Sequence, residues 1–485
     1  MKIVLVSSLL LLSLQINSLL SQNNAVEKAL NSFINDPVNI NASIGFLAYS
    51  LEDSLIIASN NQQTLLSPAS ITKLFSTSTA IEILGAYYRP KTRFYIDGEI
   101  DSTGVLNGNL WIRGGGDPTL GSRFFENDDQ KRFFLRQWCD SIRNNGIRQI
   151  NGSIIADGSE FGYLGNPEGW TWGDMGNYYG SGPSGIVLFD NLTYLSISSA
   201  TNVGDSTSID CMDPWIENLT FRNEVKSNSV KGDESYAFGA PYSYDRFIMG
   251  SIPLNQEDFN VKVSIPDPEF LLAQELTYEL MCNNVKVIGI PKGMRTSSLA
   301  NDYSTFKSLY AINGNSIANI AYHTNMRSVN LFAEQLACII GYYKTGKGTT
   351  DNGIYHINKY WQDKIGGGFY ITDGSGLSRN NAIAAIHFVK LLESMYHSKN
   401  YTEFKKTLPI AGKSGTLRSV CRGQDASGRM MAKSGTMNRI KSYAGYMESS
   451  TGKKIAFAII VNNHSCSSSE IVKKMEPIFN AMARY

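Results

Sequence analysis

Residues 68–85 read PASITKLFSTSTAIEILG, and this stretch decides the fold of the chain. Its apolar side chains recur at intervals of three or four residues, between a proline near the start and a glycine at the end. That spacing predicts a largely buried α-helix that stops at the glycine. Ser70 and Lys73 stand three residues apart near its beginning, so the helix places a hydroxyl and an amine on one face.

An amine held beside a hydroxyl can take its proton and turn it into a nucleophile. It does so only when neutral, which requires a lysine pKa lowered from about 10.4 toward roughly 7 or 8. Burial and a second cation nearby both lower the pKa of an ammonium group. Alone, the pattern is more often a serine at a helix start followed by a lysine that reaches solvent, so it needs support from elsewhere in the chain.

Two further short patterns carry polar groups suited to the same chemistry. Ser328 and Asn330 stand at the join between two predicted helices, where a hydroxyl can pass on a proton and an amide can donate to a carbonyl. Residues 433–436 read KSGT and enter a predicted strand. There a lysine and two hydroxyls can hold a carboxylate, and the glycine lets an extended peptide approach the backbone. Each pattern alone also fits an ordinary turn.

The tetrapeptide KSGT occurs twice, at 413–416 and at 433–436. The first copy follows LPIAG, which is typical of a loop, whereas the second leads directly into a predicted hairpin over residues 440–462. An extended substrate needs the edge of a sheet. We therefore assign the chemistry to the second copy.

The composition is that of a folded chain: among 485 residues, 42% are hydrophobic and 18% charged, enough for about three domains. A net charge of +1 creates no field that would attract nucleic acid, so we expect no nucleic-acid partner. The five histidines and six cysteines lack metal-ligand spacing, and we expect neither a metal nor a cofactor. Most cysteines are expected to be buried thiols, and one or two disulfides stay open.

The first residues predict export. Lys2 precedes an apolar run from Ile3 to Leu14, and polar residues follow, which is the layout of a secretory signal peptide. We expect residues 1–21 to be removed and the mature protein to lie in the periplasm, soluble or peripherally associated with the membrane. An uncleaved anchor over residues 3–20 is the alternative.

Two parts of the chain differ in pattern. Residues 25–85 and 300–485 predict one α/β (α+β) domain, with hairpins at 42–58 and 440–462 and helices at 306–322, 330–343, 382–396 and 470–484. Residues 86–299 show short strand-like runs separated by Gly, Asn, Asp and Pro. They predict a long β-rich insertion, which we expect to form two subdomains.

The order of the three patterns, together with longer segments, carries a resemblance. The supporting segments are WIRGGGDPTL (111–120), GWTWGDMGNYYGSGPSG (169–185), DGSGLSRNN (373–381) and LPIAGKSGTL (408–417). With these, the chain resembles the class C low-molecular-mass penicillin-binding proteins, the D-alanyl-D-alanine carboxypeptidases/endopeptidases of peptidase family S13. The likeness spans nearly the whole mature chain and implies a penicillin-binding, transpeptidase-like domain interrupted by an insertion.

The resemblance also implies roles for individual residues. It makes Ser70 the acylated nucleophile and Lys73 its proton acceptor, in a polar network completed by Ser328, Asn330 and Lys433. Lys433 is then the second cation. Two departures, Val329 where Asp is common and KSG in place of KTG, leave the reacting groups intact.

The resemblance further implies where the substrate binds. The backbone N–H groups of Ser70 and Thr436 form an oxyanion hole, the hydroxyls of Ser434 and Thr436 hold the terminal carboxylate beside Gly435, and Asp174 in the insertion reads a substrate side chain.

The activity so implied is hydrolysis of D-Ala-D-Ala termini or D-Ala cross-links in peptidoglycan stem peptides, through an acyl-enzyme that β-lactams would also form. Two alternatives stay open: a β-lactamase or esterase that uses the same serine and lysine, and a catalytically silent cell-wall binding protein. The sequence contains no GxSxG, which argues against an ordinary α/β-hydrolase. It carries no signal for a particular oligomeric state.

Overall fold

The computed structural model describes residues 25–485. The predicted signal peptide lies outside this range. Within it, eleven segments are α-helical: α1 (25–34), α2 (Lys73–Leu84), α3 (Phe133–Asn144), α4 (Trp172–Met175), α5 (Pro268–Cys282), α6 (Ile317–Arg327), α7 (Asn330–Thr345), α8 (Thr350–Ile365), α9 (Ala385–Tyr396), α10 (Tyr401–Lys406) and α11 (Ser468–Arg484).

The same range contains twenty strands. They are β1 (Ser43–Ser50), β2 (Leu55–Asn60), β3 (Lys91–Ile96), β4 (Glu99–Ile100), β5 (Val105–Asn107), β6 (Leu110–Arg113), β7 (Gln149–Ile150), β8 (Ile154–Asp157), β9 (Leu192–Ser198), β10 (Ser208–Asp213), β11 (Thr220–Asn228), β12 (Glu234–Phe238), β13 (Asp245–Pro253), β14 (Phe259–Ser264), β15 (Lys286–Val287), β16 (Lys292–Gly293), β17 (Lys307–Asn313), β18 (Met430–Met437), β19 (Ile440–Glu448) and β20 (Lys454–Asn462).

The chain divides into two compact units. The first comprises residues 25–82, 321–328 and 357–485, and the second comprises residues 83–320 and 329–356. The sequence-based boundaries of the insertion, residues 86 and 299, remain a prediction, because this division into compact units does not test them.

The first unit is built on a five-stranded antiparallel sheet in the order β18-β19-β20-β1-β2. Strands β19 and β20 are buried along almost their whole length, and β20 accordingly reads as a continuous apolar run from Ile455 to Val461 rather than an alternating one. Side chains of α1 and α11 share a core with this sheet, and α9 packs against β20 and β1. Strand β18 forms one edge of the sheet.

Helix α2 also belongs to this unit and is buried from Lys73 through Ile81. Its Phe75 ring lies 5.3 Å from the ring of Phe369, 5.3 Å from that of Phe388 and 6.0 Å from that of Trp361. The helix is enclosed on all sides even though it carries polar residues, because buried hydroxyls such as those of Thr77 and Thr79 donate to the helix's own carbonyl oxygens. The buried helix predicted from residues 68–85 is therefore present, and it ends at Leu84, just before Gly85.

The second unit contains four small sheets with the strand orders β10-β9-β14, β11-β13-β12, β15-β7-β5-β4 and β16-β8-β6-β3-β17. One hydrophobic core joins the last two sheets with α3 and α5, and a smaller core lies between the sheets of β9 and β13. Glycines, prolines and short polar turns separate these strands, in line with the β-rich composition of the segment.

One predicted helix is wrong in its first half. Residues 306–322 were expected to be helical, yet Lys307–Asn313 form strand β17, which pairs antiparallel with β3, and the helix α6 begins at Ile317. The spacing of apolar residues here fits both periods over so short a window. The available edge of β3 decided between them.

Three further features concern the cysteines, membrane-spanning helices and metal-binding clusters. All six cysteines, each within the described range, are free; three are buried and Cys211 and Cys282 are exposed. None of the helices described between residues 25 and 485 is long and apolar enough to cross a membrane. In the same range, no three His, Cys, Asp or Glu side chains come together as a group that would hold a metal ion.

Candidate active site

Ser70 lies in a tight turn that leads into α2. Residues Ala69–Thr72 form a 3-10 turn, and Ala69 has a φ of +51°, in the left-handed region that a β-carbon disfavours. Such a conformation costs about 1 to 3 kcal/mol and persists only where its surroundings enforce it. Here a β-carbon on Gly376 would collide with the Ala69 carbonyl oxygen, so a second loop packs tightly against the turn.

The hydroxyl of Ser70 and the amine of Lys73 are in contact. Lys73 Nζ donates to Ser70 Oγ at 3.0 Å and to the Ser375 carbonyl oxygen at 2.7 Å. The Lys73 side chain is fully buried, whereas Ser70 is half-buried and so reachable from solvent. A buried amine aimed at an accessible hydroxyl is the arrangement that proton abstraction requires.

The carbonyl of Ser375 is held in place by its own loop. Asp373 Oδ1 accepts from Gly376 N at 2.8 Å and from Asn381 Nδ2 at 2.7 Å, and Asp373 Oδ2 accepts from Ser378 N at 2.6 Å. Sequence reasoning noticed the segment DGSGLSRNN as a resemblance but gave it no function. The signal available was its density of turn-forming residues around one aspartate.

A second pair of lysine and serine lies in the same unit. Lys433 Nζ donates to Ser328 Oγ at 2.8 Å and to the Ser434 carbonyl oxygen at 2.6 Å, and Lys433 is fully buried. Ser328 follows the end of α6 and has a φ of +60°, a second non-glycine residue in the left-handed region. The structure therefore repeats one device, a buried amine on a hydroxyl held by a strained turn.

The electrostatics of this region disfavour a full set of ammonium charges. The pKa of Lys433 lies well below its usual value, first because of burial and then because of the positive charges of Lys73 and Lys441. Interacting amines lose their protons in successive steps, and each step belongs to the set of amines rather than to a single lysine. The second cation expected at Lys433 is thus itself a group that loses its proton easily.

Strand β18 approaches the Ser70 turn closely at Gly435. A β-carbon there would lie 2.8 Å from the Pro68 carbonyl oxygen and 3.0 Å from the Ser70 backbone nitrogen. Ser442 on the neighbouring strand donates its hydroxyl to the same Pro68 oxygen at 2.6 Å. Only glycine fits between the strand and the turn, which explains its place in the KSGT segment.

The register of β18 determines which backbone groups point away from the sheet. The hairpin closes with the pair Met437–Ile440, and N–H groups along the strand alternate between β19 and the outer edge. Ala432 N donates outward, to the Pro409 carbonyl oxygen at 3.0 Å. Thr436, four residues later, therefore also turns its N–H outward, away from β19.

Two side chains in this region, those of Thr416 and Lys441, were not predicted from the sequence. Ser434 Oγ donates to Thr416 Oγ1 at 2.8 Å, so the first KSGT copy contacts the second. Thr436 Oγ1 accepts from Lys441 Nζ at 2.7 Å across the hairpin. No spacing rule indicates either contact, because both depend on strand register or on a loop from outside the sheet.

Asn330 and Asp174 lie in the second unit and have a common neighbour. Asn330 is the first residue of α7, and its Nδ2 donates to the Tyr179 carbonyl oxygen at 2.8 Å. Asp174 Oδ2 accepts from Thr171 N at 3.0 Å and from Thr171 Oγ1 at 2.7 Å, as in a helix capping box. Burial and the charge of Asp174 raise the pKa of Tyr179 to about 12.

Comparison with known proteins finds relatives that match over most of the chain. The D-alanyl-D-alanine carboxypeptidase DacB of Haemophilus influenzae is 24% identical over 449 residues, which cover 90% of this chain and 89% of that protein. The crystal structure of penicillin-binding protein 4 from the same organism superposes with a TM-score of 0.76 at 21% identity, covering 92% of this chain and 97% of that one.

A second structure of that protein, in complex with a β-lactam, gives a TM-score of 0.75 at 20% identity over 95% of this chain and all of the other (100%). The resemblance inferred from the motifs and the predicted fold class are both confirmed. Residues 26–484 match the family model described as the D-Ala-D-Ala carboxypeptidase 3 (S13) family. The chain therefore belongs to this family and is a serine-type D-Ala-D-Ala carboxypeptidase with a penicillin-binding fold.

Proposed function

We propose that the protein cleaves the peptide bond between two D-alanine residues through an acyl-enzyme on Ser70. The observation that carries the proposal is the 3.0 Å contact between Lys73 Nζ and Ser70 Oγ. The Ser70 hydroxyl proton passes to a neutral Lys73 amine while Oγ bonds to the substrate carbonyl carbon. The C–N bond then breaks, and D-alanine or a cross-link amine departs.

The second lysine–serine pair serves the leaving group. The departing amine needs a proton, and Ser328 can donate its own while Lys433, bonded to it at 2.8 Å, replaces the loss. Before hydrolysis, the proton that Lys73 took from Ser70 replaces the one that Lys433 gave up, so Lys73 is neutral again. Water then attacks the ester on Ser70 and gives a proton to Lys73, which passes it to the departing Ser70 Oγ as the shortened peptide is freed. Over the whole cycle each amine ends with the protons it began with.

The tetrahedral intermediates carry a negative oxygen. The N–H groups of Ser70 and Thr436 are proposed to bind it, since the first lies beside Gly435 and the second points outward from the strand edge. A donor of this kind contributes about 3 to 4 kcal/mol to the transition state.

The remaining assignments concern the substrate. Ser434 and Thr436 are proposed to hold its terminal carboxylate, and Asn330 its backbone carbonyl. Asp174 is proposed to read a side chain of the stem peptide. One oxygen of Asp174 receives both bonds from Thr171, which leaves Oδ1 to meet a substrate.

We further propose that β-lactams acylate Ser70 and that the protein acts on peptidoglycan in the periplasm. A solved relative in complex with a β-lactam and the family's D-Ala-D-Ala carboxypeptidase activity support the first point. The apolar run from Ile3 to Leu14 after Lys2 supports export.

The test is product analysis with purified stem pentapeptide and cross-linked muropeptide dimers. The wild type is expected to release D-alanine or split the dimer, and Ser70→Ala is expected to do neither. Ser67→Ala, a neighbouring serine outside the proposed machinery, serves as the matched control and should keep full activity. Product release by Ser70→Ala at the wild-type rate would refute the proposal.

The two alternatives give different outcomes in the same series. A β-lactamase would turn over penicillin rapidly and leave the pentapeptide intact, whereas a silent binding protein would retain the pentapeptide without cleaving it. Both outcomes are excluded if D-alanine release and a long-lived penicillin adduct occur together.

A further inference from the structure

Lys441 is a buried cation beside the proposed carboxylate site, and neither the motifs nor the family assign it a role. It lies on β19, opposite Thr436 in the register of the β18–β19 hairpin. Its Nζ donates to Thr436 Oγ1 at 2.7 Å, and only 8% of the residue is exposed. Next to its turn, the hairpin thus places the ammonium group of Lys441 beside the hydroxyl of Thr436 on the edge strand.

The charged and titratable groups around Lys441 are cationic or neutral. Burial lowers the pKa of Lys433 on β18 and of His464 after β20, and the charge of Lys441 lowers both a little further. Arg439 at the hairpin tip acts on the pKa of His464 in the same direction. The Tyr443 ring lies 5.1 Å from Lys441 Nζ. Among residues 25–485, no ion pair includes Lys441.

A buried ammonium among other cations is costly unless an anion joins it. Burial lowers the pKa of Lys441 to about 8, so the group is still mostly protonated at neutral pH. An ammonium group has three N–H donors, and Thr436 accepts one of them. Because Thr436 Oγ1 accepts that bond, its own hydroxyl can donate to another acceptor. A remaining N–H of Lys441 and the Thr436 hydroxyl can therefore donate to one carboxylate.

We propose that Lys441 is a specificity-determining residue that selects substrates with a free terminal carboxylate, pairing with it alongside the Thr436 hydroxyl. This inference rests on the proposed function, because it concerns the peptide that Ser70 attacks. With the hydroxyls of Ser434 and Thr436 alone, the site would bind a neutral C-terminal amide about as well as a carboxylate. A cation binds the carboxylate in preference to the amide. Lys441 therefore favours the end of a stem peptide over an internal bond.

The experiment compares two peptides that differ only at the C-terminus, a D-Ala-D-Ala stem peptide with a free carboxylate and the same peptide as its C-terminal amide. Values of kcat/KM are measured for the wild type, Lys441→Met and Lys441→Arg. For the free acid, Lys441→Met is expected to lose about 10- to 100-fold, the effect of one hydrogen bond to a charged group. For the amide, all three are expected to agree within about threefold, and Lys441→Arg should keep the preference for the acid.

Two further measurements separate selection from a structural role. Raising the pH through about 8 should erode the wild-type preference for the acid, because a neutral amine cannot pair with a carboxylate, while the preference of Lys441→Arg should persist. Lys359→Met, an exposed lysine on α8, serves as the charge-matched control and should behave as wild type.

Equal losses of Lys441→Met on acid and amide, or no loss on either, would overturn the inference. If the wild type cleaves neither peptide, the proposed function falls, and binding decides the inference separately. The dissociation constants of both peptides are then measured with Ser70→Ala, with and without Lys441→Met. A preference for the acid that disappears with Lys441→Met supports the inference, and an unchanged ratio contradicts it.

Discussion

The two KSGT copies share four residues and adopt different structures. In the first copy, Gly415 has a φ of +54° within a 3-10 turn and Lys413 is exposed. In the second copy, all four residues lie in strand β18 and Lys433 is fully buried. The Ser434–Thr416 hydrogen bond joins the two copies, so they are neighbours with different environments.

The flanking sequence makes the difference. After the second copy, β19 and β20 supply two strands buried on both faces, and β18 pairs with the first of them over its whole length. After the first copy, residues 417–429 continue as turns with local backbone hydrogen bonds. A short motif therefore becomes a candidate catalytic element only where a sheet edge buries its lysine and extends its backbone.

The largest difference in acylation rate is expected when the lysine of each KSGT copy is replaced, one at a time, by methionine. Lys433→Met removes the amine bonded to Ser328 and should slow acylation by a penicillin about 10²- to 10⁴-fold, the range for a group that moves protons. Lys413→Met should stay within about twofold of wild type, because an exposed surface lysine contributes little. Labelling with a fluorescent penicillin over time measures both.

Thermal unfolding of both variants is measured alongside acylation to confirm that they fold. Lys433→Met is expected to fold, because methionine is tolerated in place of a buried amine that has no ion-pair partner within residues 25–485. Equal acylation rates in the two variants would show that the second copy is not the catalytic one.

The two glycines offer the next contrast. Gly435→Ala places a β-carbon 2.8 Å from the Pro68 carbonyl oxygen and 3.0 Å from Ser70 N, so the strand must move and acylation should fall about 100-fold. Gly415→Ala should destabilise the fold by more than the about 1 to 2 kcal/mol that alanine costs at positive φ, because its β-carbon would also lie 2.5 Å from the Met326 carbonyl oxygen. Acylation by the folded Gly415→Ala protein should stay within about threefold of wild type.

Acylation rates and denaturant unfolding are measured for both variants. Gly435→Ala is expected to lose mainly acylation rate, and Gly415→Ala mainly stability. A slow, fully stable Gly415→Ala variant would contradict the division between the two copies.

A smaller effect is expected from the bond that joins the copies. When a carboxylate binds, the Ser434 hydroxyl must turn its hydrogen from Thr416 to that carboxylate, and Thr416 can then donate to Ser434 Oγ. Thr416→Val removes this supporting hydroxyl while keeping the side-chain volume, so Ser434 is less well oriented. The KM of a D-Ala-D-Ala peptide should rise about three- to tenfold with little change in kcat, as for one neutral hydrogen bond. Thr407→Val, a buried threonine elsewhere in the first unit, provides a control for lost threonine hydroxyls and should leave KM unchanged.

The second copy should also carry a cost in stability. Burial holds the pKa of Lys441 at about 8 in the folded protein, below its value of 10.5 when unfolded. Below pH 8 the folded state therefore bears the full penalty of the buried charge, and Lys441→Met should raise the free energy of unfolding by about 1 to 3 kcal/mol. Between pH 8 and 10.5 the wild type gains stability relative to the variant, because folding then releases a proton.

Urea unfolding at several pH values measures this difference. A variant less stable than wild type at pH 7 would mean that Lys441 is held mainly for the hairpin.

Much of the fold and part of the site follow from sequence patterns. The helix after Pro68 and the C-terminal hairpin have clear periods, and the second KSGT copy was preferred because it leads directly into that hairpin. Strand β17 was missed because its edge pairing with β3 depends on a segment more than 200 residues away in the chain. Ser375, which accepts from Lys73 through a backbone carbonyl, has no side-chain signature at all.

The contacts of Thr416 and Lys441 were also beyond sequence reasoning, since each arises from register or from the fold of a loop. Local patterns thus located the groups with distinctive chemistry, and tertiary structure located the residues that orient them.

The central claim is that the buried amine of Lys73 activates the hydroxyl of Ser70. Brief incubation with benzylpenicillin, followed by digestion and mass mapping, tests it most directly. A single covalent adduct is expected on the peptide that contains Ser70, lost in Ser70→Ala and formed far more slowly in Lys73→Met. An adduct on any other residue, or one that forms at the wild-type rate in Lys73→Met, would contradict it.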